Sequence, residues 1–174
     1  MTRREFMHID GRLSPESFKN NAVITNLAVS PIPISPFARA KGVIYSALQR
    51  YERTMPGQVK THTEMEVDGF PVDEIYFPLI GKFNAKRGNE ESILKGRIKD
   101  RYVLEHAKYD IEYHPEENTF TLSIRSPDGK VNSIEGFVIP GGVEHATSAI
   151  EGNNAIFFAI KVKNAQRIES NKSA

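Results

Sequence analysis

Hydrophobic and polar residues alternate with a period of two over much of the chain. Because successive side chains of a β-strand point to opposite faces of a sheet, such alternation between turn residues predicts strands. β-Branched and aromatic residues, which strands favour, are concentrated in the same segments. The predicted strands cover residues 42–48, 74–83, 101–113, 120–125, 136–139 and 155–162. The pattern predicts an all-β fold of the sandwich or barrel type.

Two turns predict how some of these strands connect. In the first, Pro115 fixes one backbone dihedral and Asn118 tolerates a left-handed conformation, so the chain can reverse between two strands. In the second, Pro-Asp-Gly at 127–129 suits a tight hairpin. The two turns predict an antiparallel meander over residues 101–139.

The length and composition indicate one domain. A chain of 174 residues with 39% hydrophobic content can enclose one core. We divide it into an N-terminal arm (1–40), a barrel (41–165) and a polar C-terminal tail (166–174). The arm contains prolines that hold residues 30–37 extended and, near Ser14, a single helical turn. Residues 88–100 are predicted to be a short helix or an exposed insert between strands.

Charge and residue usage limit the function classes. Lys and Arg number 23 against 22 Asp and Glu, so no overall positive field favours nucleic acid or an anionic membrane as a partner. The sequence has no apolar run of membrane-spanning length and no secretory leader, which predicts a soluble cytoplasmic protein. Because cysteine is absent, any metal ligands must be nitrogen or oxygen atoms.

Residues 140–145, Pro-Gly-Gly-Val-Glu-His, form the most informative short motif. From average residue frequencies, Pro-x-Gly-x-x-His arises about 0.02 times by chance in a chain of this length. The two glycines let the backbone bend tightly just before His145. We predict that His145 is a metal ligand; the alternative is a histidine that belongs only to a capped turn.

A second group of candidate ligands precedes it in the chain. His62 and Glu64 lie two residues apart in an extended run, which directs both side chains to one face. Glu74 opens the next strand, and a hairpin between the two segments would bring the three side chains together. Glu74 could instead be a solvated strand end, although we expect the neighbouring Asp73 to be the solvent-facing carboxylate, since adjacent strand residues point opposite ways.

These two groups resemble the two conserved motifs of the cupin superfamily. The first motif of that family has the form Gly, five residues, His-x-His, three or four residues, Glu, six residues, Gly, and the second centres on Pro-x-Gly-x-x-His. The matching positions are Gly57, His62, Glu74 and Gly81 in the first motif and Pro140, Gly142 and His145 in the second. The resemblance spans about residues 42–163 and implies a cupin-type jelly-roll barrel, here with an N-terminal arm and short helical segments.

The first motif departs from the family pattern at three points. Four residues instead of five separate Gly57 from His62, Glu64 replaces the second histidine, and nine residues separate Glu64 from Glu74. The resemblance implies one divalent metal held by His62, Glu74 and His145, with Glu64 as a fourth ligand, a base or neither; on the same face, Glu66 is a weaker substitute. Two imidazoles with two carboxylates favour Fe(II), with Mn, Ni, Zn or Co as alternatives.

The resemblance implies a metal-dependent enzyme that acts on a small organic substrate. We expect an oxidoreductase of the Fe(II) dioxygenase type. The alternatives are an isomerase, epimerase or lyase in which Glu64 or Tyr76 moves a proton, and a non-catalytic cupin that binds a small ligand. The resemblance also predicts a homodimer in which the arm crosses to the second subunit. We expect His106 to be a surface imidazole, and His8 and His114 to have no functional role.

The strand before the first motif has two faces of different chemistry. Tyr45, Gln49 and Tyr51 share one face, and Ser46, Leu48 and Arg50 share the other. Either face could line a substrate pocket.

Overall fold

The computed structural model of the chain describes residues 5–7, 12–13, 23–24, 27–40, 42–51, 69, 71–114, 116–150 and 152–163. The elements in these residues are β1 (Glu5–Met7), β2 (Arg12–Leu13), β3 (Val23–Ile24), β4 (Leu27–Pro31), α1 (Pro36–Ala40), β5 (Val43–Tyr51), β6 (Val72–Ile80), β7 (Lys82–Arg87), β8 (Glu90–Lys95), β9 (Ala107–His114), β10 (Thr119–Arg125), β11 (Val131–Glu135), β12 (Phe137–Ile139), β13 (His145–Ala149) and β14 (Ala155–Lys163). The prediction of an all-β protein with short helical segments is confirmed.

The strands form three sheets in which every pairing is antiparallel. The outer sheet has the order β1-β9-β10-β11, with β2 also paired to β9. The central sheet has the order β12-β6-β14-β5-β4-β3, and the site sheet has the order β13-β7-β8. Antiparallel neighbours of this kind bring strands that are distant in sequence into contact, as for β6, β12 and β14.

The central sheet is buried on both of its faces. One face contributes Ile75, Phe77 and Phe158, which pack with Ile111 and Leu122 of the outer sheet. Seven of the nine residues of β6, and seven of the nine of β14, are therefore buried, and apolar residues predominate in both strands. The outer sheet alternates instead, with burial at every second residue along β10, because it is covered on one side only.

The other face of the central sheet packs against the site sheet and encloses the barrel interior. Tyr76 and Phe157 of the central sheet contact Phe83 and Ala85 of the site sheet. The rings of Phe83 and Phe157 are stacked with centroids 4.1 Å apart. Phe157 thus lines the barrel while the adjacent Phe158 packs against the outer sheet, as expected for neighbouring aromatics in a strand buried on both sides.

The predicted meander is confirmed by β9, β10 and β11, which pair consecutively. Asn118 lies in the turn between β9 and β10 with φ 50°, the left-handed conformation that its side chain tolerates. The second turn is closed by a hydrogen bond from Ser126 N to Lys130 O, with Gly129 at φ 87°. Asn118 and Gly129 therefore lie in reversals at the predicted places, whereas Pro115 lies outside the described residues.

Three element predictions were wrong. The strand predicted over 74–83 is broken at Gly81, where φ is 72° and a Cβ atom would overlap the Asn154 carbonyl. The strand predicted from residue 101 begins only at Ala107, because Asp100 caps a short 3₁₀ turn over Arg101–Val103. Within 88–100, β8 is a strand that pairs with β7 throughout its length, in place of the predicted helix or insert.

Residues before position 41 join the sheets of the same chain. β4 pairs with β5 at the central sheet, while β1 and β2 pair with β9 of the outer sheet. The expected extended proline segment is followed by α1, which starts at Pro36 and is capped by a hydrogen bond from Ala38 N to Ser35 Oγ at 3.1 Å. Proline suits the first helical position because no intrahelical partner is lost there.

Candidate metal and substrate site

Glu74 lies inside the barrel, on the face of β6 that looks toward the site sheet. Its Cα pairs with Ile139 of β12 on one side and with Lys161 of β14 on the other. Tyr76 follows two residues later on the same face and belongs to the barrel core. Glu74 is 4% exposed, so the alternative of a solvated strand end is wrong.

His145 reaches the same interior from the opposite sheet. It is the first residue of β13, and its Cα pairs with Arg87 of β7. The preceding turn is closed by a hydrogen bond from Val143 N to Pro140 O, and Gly142 within it has φ 85°. A left-handed glycine at this point lets the chain reverse and enter β13 with the imidazole directed inward.

The two side chains meet across the barrel. Nε2 of His145 lies 2.7 Å from Oε2 of Glu74, and Nδ1 of His145 lies 2.9 Å from the carbonyl oxygen of Val143. The histidine is fully buried, and the glutamate side chain is 5% exposed. Two residues that are 71 positions apart in sequence therefore form one buried polar pair between the central sheet and the site sheet.

The hydrogen-bonding roles follow from these contacts. A carbonyl oxygen only accepts, so Nδ1 carries a proton and donates it to Val143. The 2.7 Å contact between Nε2 and the carboxylate oxygen is a hydrogen bond that one proton occupies, and a metal bound to both atoms would replace that proton. Metal-binding histidines are held in this way, with one ring nitrogen donating to a backbone carbonyl and the other directed at the metal. Glu74 and His145 therefore offer one oxygen and one nitrogen donor of the kinds that divalent metals bind.

Asp73 holds the turn that leads to His145, although we expected it to face solvent. The residue is completely buried, and its Oδ1 accepts a hydrogen bond from Gly141 N at 2.8 Å. A Cβ atom at Gly141 would lie 2.8 Å from Val72 O. The expectation was wrong because β6 is covered on both faces, so both orientations of its side chains end inside the protein.

Aromatic rings form the wall below the pair. Tyr76 is 3% exposed and contacts Phe157 edge to face, with ring centroids 5.6 Å apart. It contacts Phe83 in a similar geometry at 6.4 Å. These contacts place the Tyr76 ring on the same wall as Glu74 and surround it with apolar groups, which exclude water from this part of the interior.

The face of β5 that carries Tyr45, Gln49 and Tyr51 is the one that lines the barrel. Tyr51 belongs to the barrel core, and Gln49 Nε2 donates a hydrogen bond to the Tyr45 hydroxyl at 3.3 Å. The ammonium of Lys161 lies 4.9 Å from the centre of the Tyr45 ring. Lys161 and Tyr45 are paired across β14 and β5, so an oriented cation lies in the row of residues that contains Glu74.

A second polar bridge joins β5 to β13, two residues after His145. The hydroxyl groups of Tyr51 and Thr147 lie 2.7 Å apart. Burial raises the pKa of Tyr51 to about 12, and the hydrogen bond with Thr147 acts in the opposite direction. This bridge and the Glu74–His145 pair connect the same two sheets.

The raised pKa of Tyr51 predicts a pH dependence of stability. The ordinary pKa of a tyrosine phenol is 10.0, so the contribution of the neutral folded phenol is fully present below pH 10 and is lost as the pH rises towards 12. Between pH 9 and 11.5, we expect the wild type to lose about 2 kcal/mol more unfolding free energy than Tyr51→Phe. Urea unfolding of both proteins at the two pH values measures this difference. Equal losses would show that Tyr51 ionises as readily in the folded protein as in the unfolded one.

Arg87, which sequence reasoning missed, closes the barrel beside His145. Its Nη1 donates to Val138 O at 2.8 Å, and its guanidinium carbon lies 4.2 Å from the centre of the Phe137 ring. Its Nη2 forms an ion pair with Glu90 at 2.8 Å, and this hydrogen bond together with the arginine charge lowers the pKa of Glu90. Arg87 and Glu90 are three residues apart across the β7–β8 turn, but only the fold shows that Arg87 reaches β12.

The other predicted ligands fall in a different part of the chain. His62, Glu64 and Glu66, with Gly57 of the first motif, lie outside the described residues. Among the residues that are described, no group of three His, Asp or Glu side chains could hold a metal by itself. His106 is exposed, as expected, with φ 60°. Glu74 and His145 are therefore the part of the predicted site that the structure brings together.

Comparison with known proteins identifies the fold. Neither models of protein families nor curated protein sequences match the chain. KdgF from Halomonas sp. superposes with a TM-score of 0.50 at 11% identity, over 90% of this chain and 96% of that one. A predicted oxalate decarboxylase from Thermotoga maritima superposes with a TM-score of 0.51 at 13% identity, and the overlap covers 87% of this chain and 98% of that one. An RmlC-like cupin from Shewanella frigidimarina superposes with a TM-score of 0.50 at 7% identity, and the overlap covers 93% of this chain and 98% of that one.

These overlaps extend over most of each molecule, so the chain has the cupin fold. The predicted jelly-roll class is confirmed, and the Glu74–His145 pair lies in its interior. Identities this low define the fold and leave the reaction to be argued from the site. Within the described residues, no helix is long and apolar enough to cross a lipid bilayer.

Proposed function

We propose that this protein is a metal-dependent cupin enzyme that acts on a small organic substrate. The observation that carries the proposal is the buried contact between His145 Nε2 and Glu74 Oε2, with the other ring nitrogen held by Val143 O. A buried imidazole that contacts a carboxylate through one ring nitrogen, and a backbone carbonyl through the other, supplies with that carboxylate two of the ligands that a metal site needs.

We propose that His62 and Glu64 complete the ligand set. Glu74 and His145 supply one carboxylate and one imidazole, and His62 would add the second imidazole of a two-histidine, one-carboxylate site. Such a site holds Fe(II) and leaves positions for substrate and oxygen, whereas Mn, Ni, Zn and Co are alternatives for the same donors. Glu64 would be a fourth ligand or a base beside the metal.

Each proposed role belongs to a named side chain of the barrel. Glu74 and His145 bind the ion, and Val143 O fixes the histidine tautomer. A bound divalent ion supplies Lewis-acid polarisation of a substrate oxygen and, if it is iron, access to oxygen chemistry. Tyr76 would hold a proton at its phenol oxygen for transfer to or from the substrate. The rings of Phe83 and Phe157 keep water away from this wall.

The reaction class that we favour is Fe(II)-dependent oxygenation. Its support is the proposed two-histidine, one-carboxylate donor set. Metal-assisted isomerisation, epimerisation or elimination is the second candidate, supported by the position of Tyr76 on the same face as Glu74. A non-catalytic role in small-ligand binding is the third outcome that an activity test must separate.

Oxygen consumption separates these reaction classes. The protein loaded with Fe(II) is expected to consume O₂ in an oxygen-electrode assay with its substrate, screened from small organic acids and carbonyl compounds. His145→Ala, which lacks a proposed ligand, is the matched inactive control. Absence of O₂ uptake together with exchange of a carbon-bound substrate hydrogen for solvent deuterium would replace the oxygenase by a proton-transfer enzyme. Absence of both in the metal-loaded protein would favour a non-catalytic cupin.

We also propose that the protein is a cytoplasmic homodimer, with the segment before residue 41 at the subunit contact. In a single chain this segment already pairs with β5 and β9, so exchange of the same strands between subunits would preserve those pairings. Sedimentation at micromolar concentration tests the association. A monomer under these conditions would exclude the dimer and leave the proposed enzyme unaffected.

A further inference from the structure

A groove lined by cationic side chains lies at the end of the barrel opposite the Glu74–His145 pair. Its cations are Lys82, Lys95, Arg97 and Lys99, and its volume is about 770 Å³. Ile80 at the end of β6 also lines it. From Glu74 to Ile80 the strand advances about 20 Å, so this cationic groove is separate from the proposed metal site.

The backbone that carries three of these cations is held firmly against β6. Gly96 N donates to Gly81 O at 2.8 Å, and Ile98 N donates to Leu79 O at 3.0 Å. A Cβ atom at Gly96 would overlap the backbone of Leu79, so only glycine permits this approach. Because Ile98 is 6% exposed, the alternate residues 95, 97 and 99 are the ones that project outward. The fold therefore fixes the backbone positions from which these three cationic side chains project.

The charges in the groove are not neutralised by the described part of the chain. Lys82 and Lys95 lie directly opposite each other in β7 and β8, an arrangement of like charges that destabilises a sheet. No described carboxylate lines the groove. Within the described residues, none of the four cations forms an ion pair. An anion bound between them would relieve this repulsion.

We propose that the cationic groove binds a small phosphorylated ligand that carries at least two negative charges. The guanidinium of Arg97 can bind a phosphate through two hydrogen bonds, and the lysine ammonium groups add compact positive charge. The volume lies in the range of small-molecule sites. Asn153 and Ile98 also line the groove, where they would lie beside the rest of the ligand.

Inorganic pyrophosphate is the probe for this site. Calorimetric titration at low ionic strength is expected to show saturable binding that weakens as salt is added. Lys82→Ala combined with Lys95→Ala should weaken binding by about tenfold or more, since charged hydrogen bonds are lost. Lys108→Ala combined with Lys130→Ala removes the same charge from exposed positions elsewhere and should have little effect. His145→Ala should bind pyrophosphate normally, which separates the groove from the metal site.

Thermal unfolding supplies a second test, in which one substitution should stabilise the ligand-free protein and remove the stabilisation by the ligand. Lys82→Glu should raise the Tm of the ligand-free protein, because a carboxylate would face Lys95. The same substitution should abolish the increase in Tm that pyrophosphate gives the wild type. The proposal is overturned if pyrophosphate does not bind, or if groove and control variants bind it equally. Equal binding of citrate would overturn the phosphate assignment, and binding of duplex DNA alone would indicate a nucleic-acid surface instead.

Discussion

Replacement of His145 by alanine is expected to abolish metal binding. Wild-type protein purified without chelator should contain about one divalent ion per chain, and folded His145→Ala should contain almost none. The physical reason is that Nε2 of His145 is the ring atom directed at Glu74, with Nδ1 already committed to Val143 O. Elemental analysis of the purified proteins measures the metal content directly.

Glu74→Gln separates loss of the metal from loss of the fold. Its amide nitrogen can donate to His145 Nε2, so the buried hydrogen bond is kept while the negative charge is removed. In His145→Ala the buried Glu74 carboxylate loses its only polar partner in the described chain, which we expect to cost on the order of 3 kcal/mol in the metal-free protein. Both variants should lose the metal, but the unfolding free energy of Glu74→Gln should be higher than that of His145→Ala.

A surface histidine provides the control for these variants. His106 is exposed with φ 60°, and asparagine tolerates that conformation, so His106→Asn removes an imidazole with little strain. It should keep the full metal content. Should folded His145→Ala also keep its metal, this histidine is not a ligand and the proposed enzyme loses its basis.

Asp73→Ala is expected to weaken metal binding by about 10- to 100-fold although Asp73 is not a proposed ligand. Its carboxylate accepts the Gly141 N–H and so holds the turn from which His145 enters β13. Without that acceptor, the turn loses one of its hydrogen bonds, and His145 is held less firmly at its present distance from Glu74. Competition with a metal-binding dye measures the dissociation constant.

Three further variants test whether Asp73 acts through the turn. Asp73→Asn keeps an oxygen acceptor for Gly141 N and should restore most of the affinity. Gly141→Ala should weaken binding as Asp73→Ala does, because its Cβ would press on Val72 O. Asp128→Ala removes a similar carboxylate-to-backbone hydrogen bond, to Lys130 N in a surface hairpin, and should leave the affinity unchanged. An unaltered dissociation constant in folded Asp73→Ala would show that the turn does not position the ligand.

Local chemistry made much of the fold predictable. The reversals at Asn118 and Gly129 depend on backbone conformations that few residues adopt, so the residue types reveal the turns. The break at Gly81 was missed because a single glycine within a strand pattern does not by itself mark the end of the strand. Strand β8 was missed because four of its six residues are polar and do not alternate with apolar ones; its pairing with β7 stabilises it.

The candidate site was predictable in composition and only partly in geometry. The spacing of Pro140, Gly142 and His145 predicted one ligand, and position in the first motif predicted Glu74 as another. The two-residue alternation of side chains along a strand showed that Asp73 and Glu74 point to opposite faces of the sheet. It could not show that both faces are buried, which depends on the outer sheet and the site sheet covering β6.

The residue sequence by itself determined that this protein is built of strands and at which positions several turns lie. It also determined which side chains could bind a metal. These properties depend on residues within a few positions of each other. The tertiary structure decided that Glu74 meets His145, that Asp73 anchors the turn beside it, and that Lys82 and Lys95 face each other. These contacts depend on the register and packing of sheets. Register and packing arise from the whole chain at once, so no short segment of sequence specifies them.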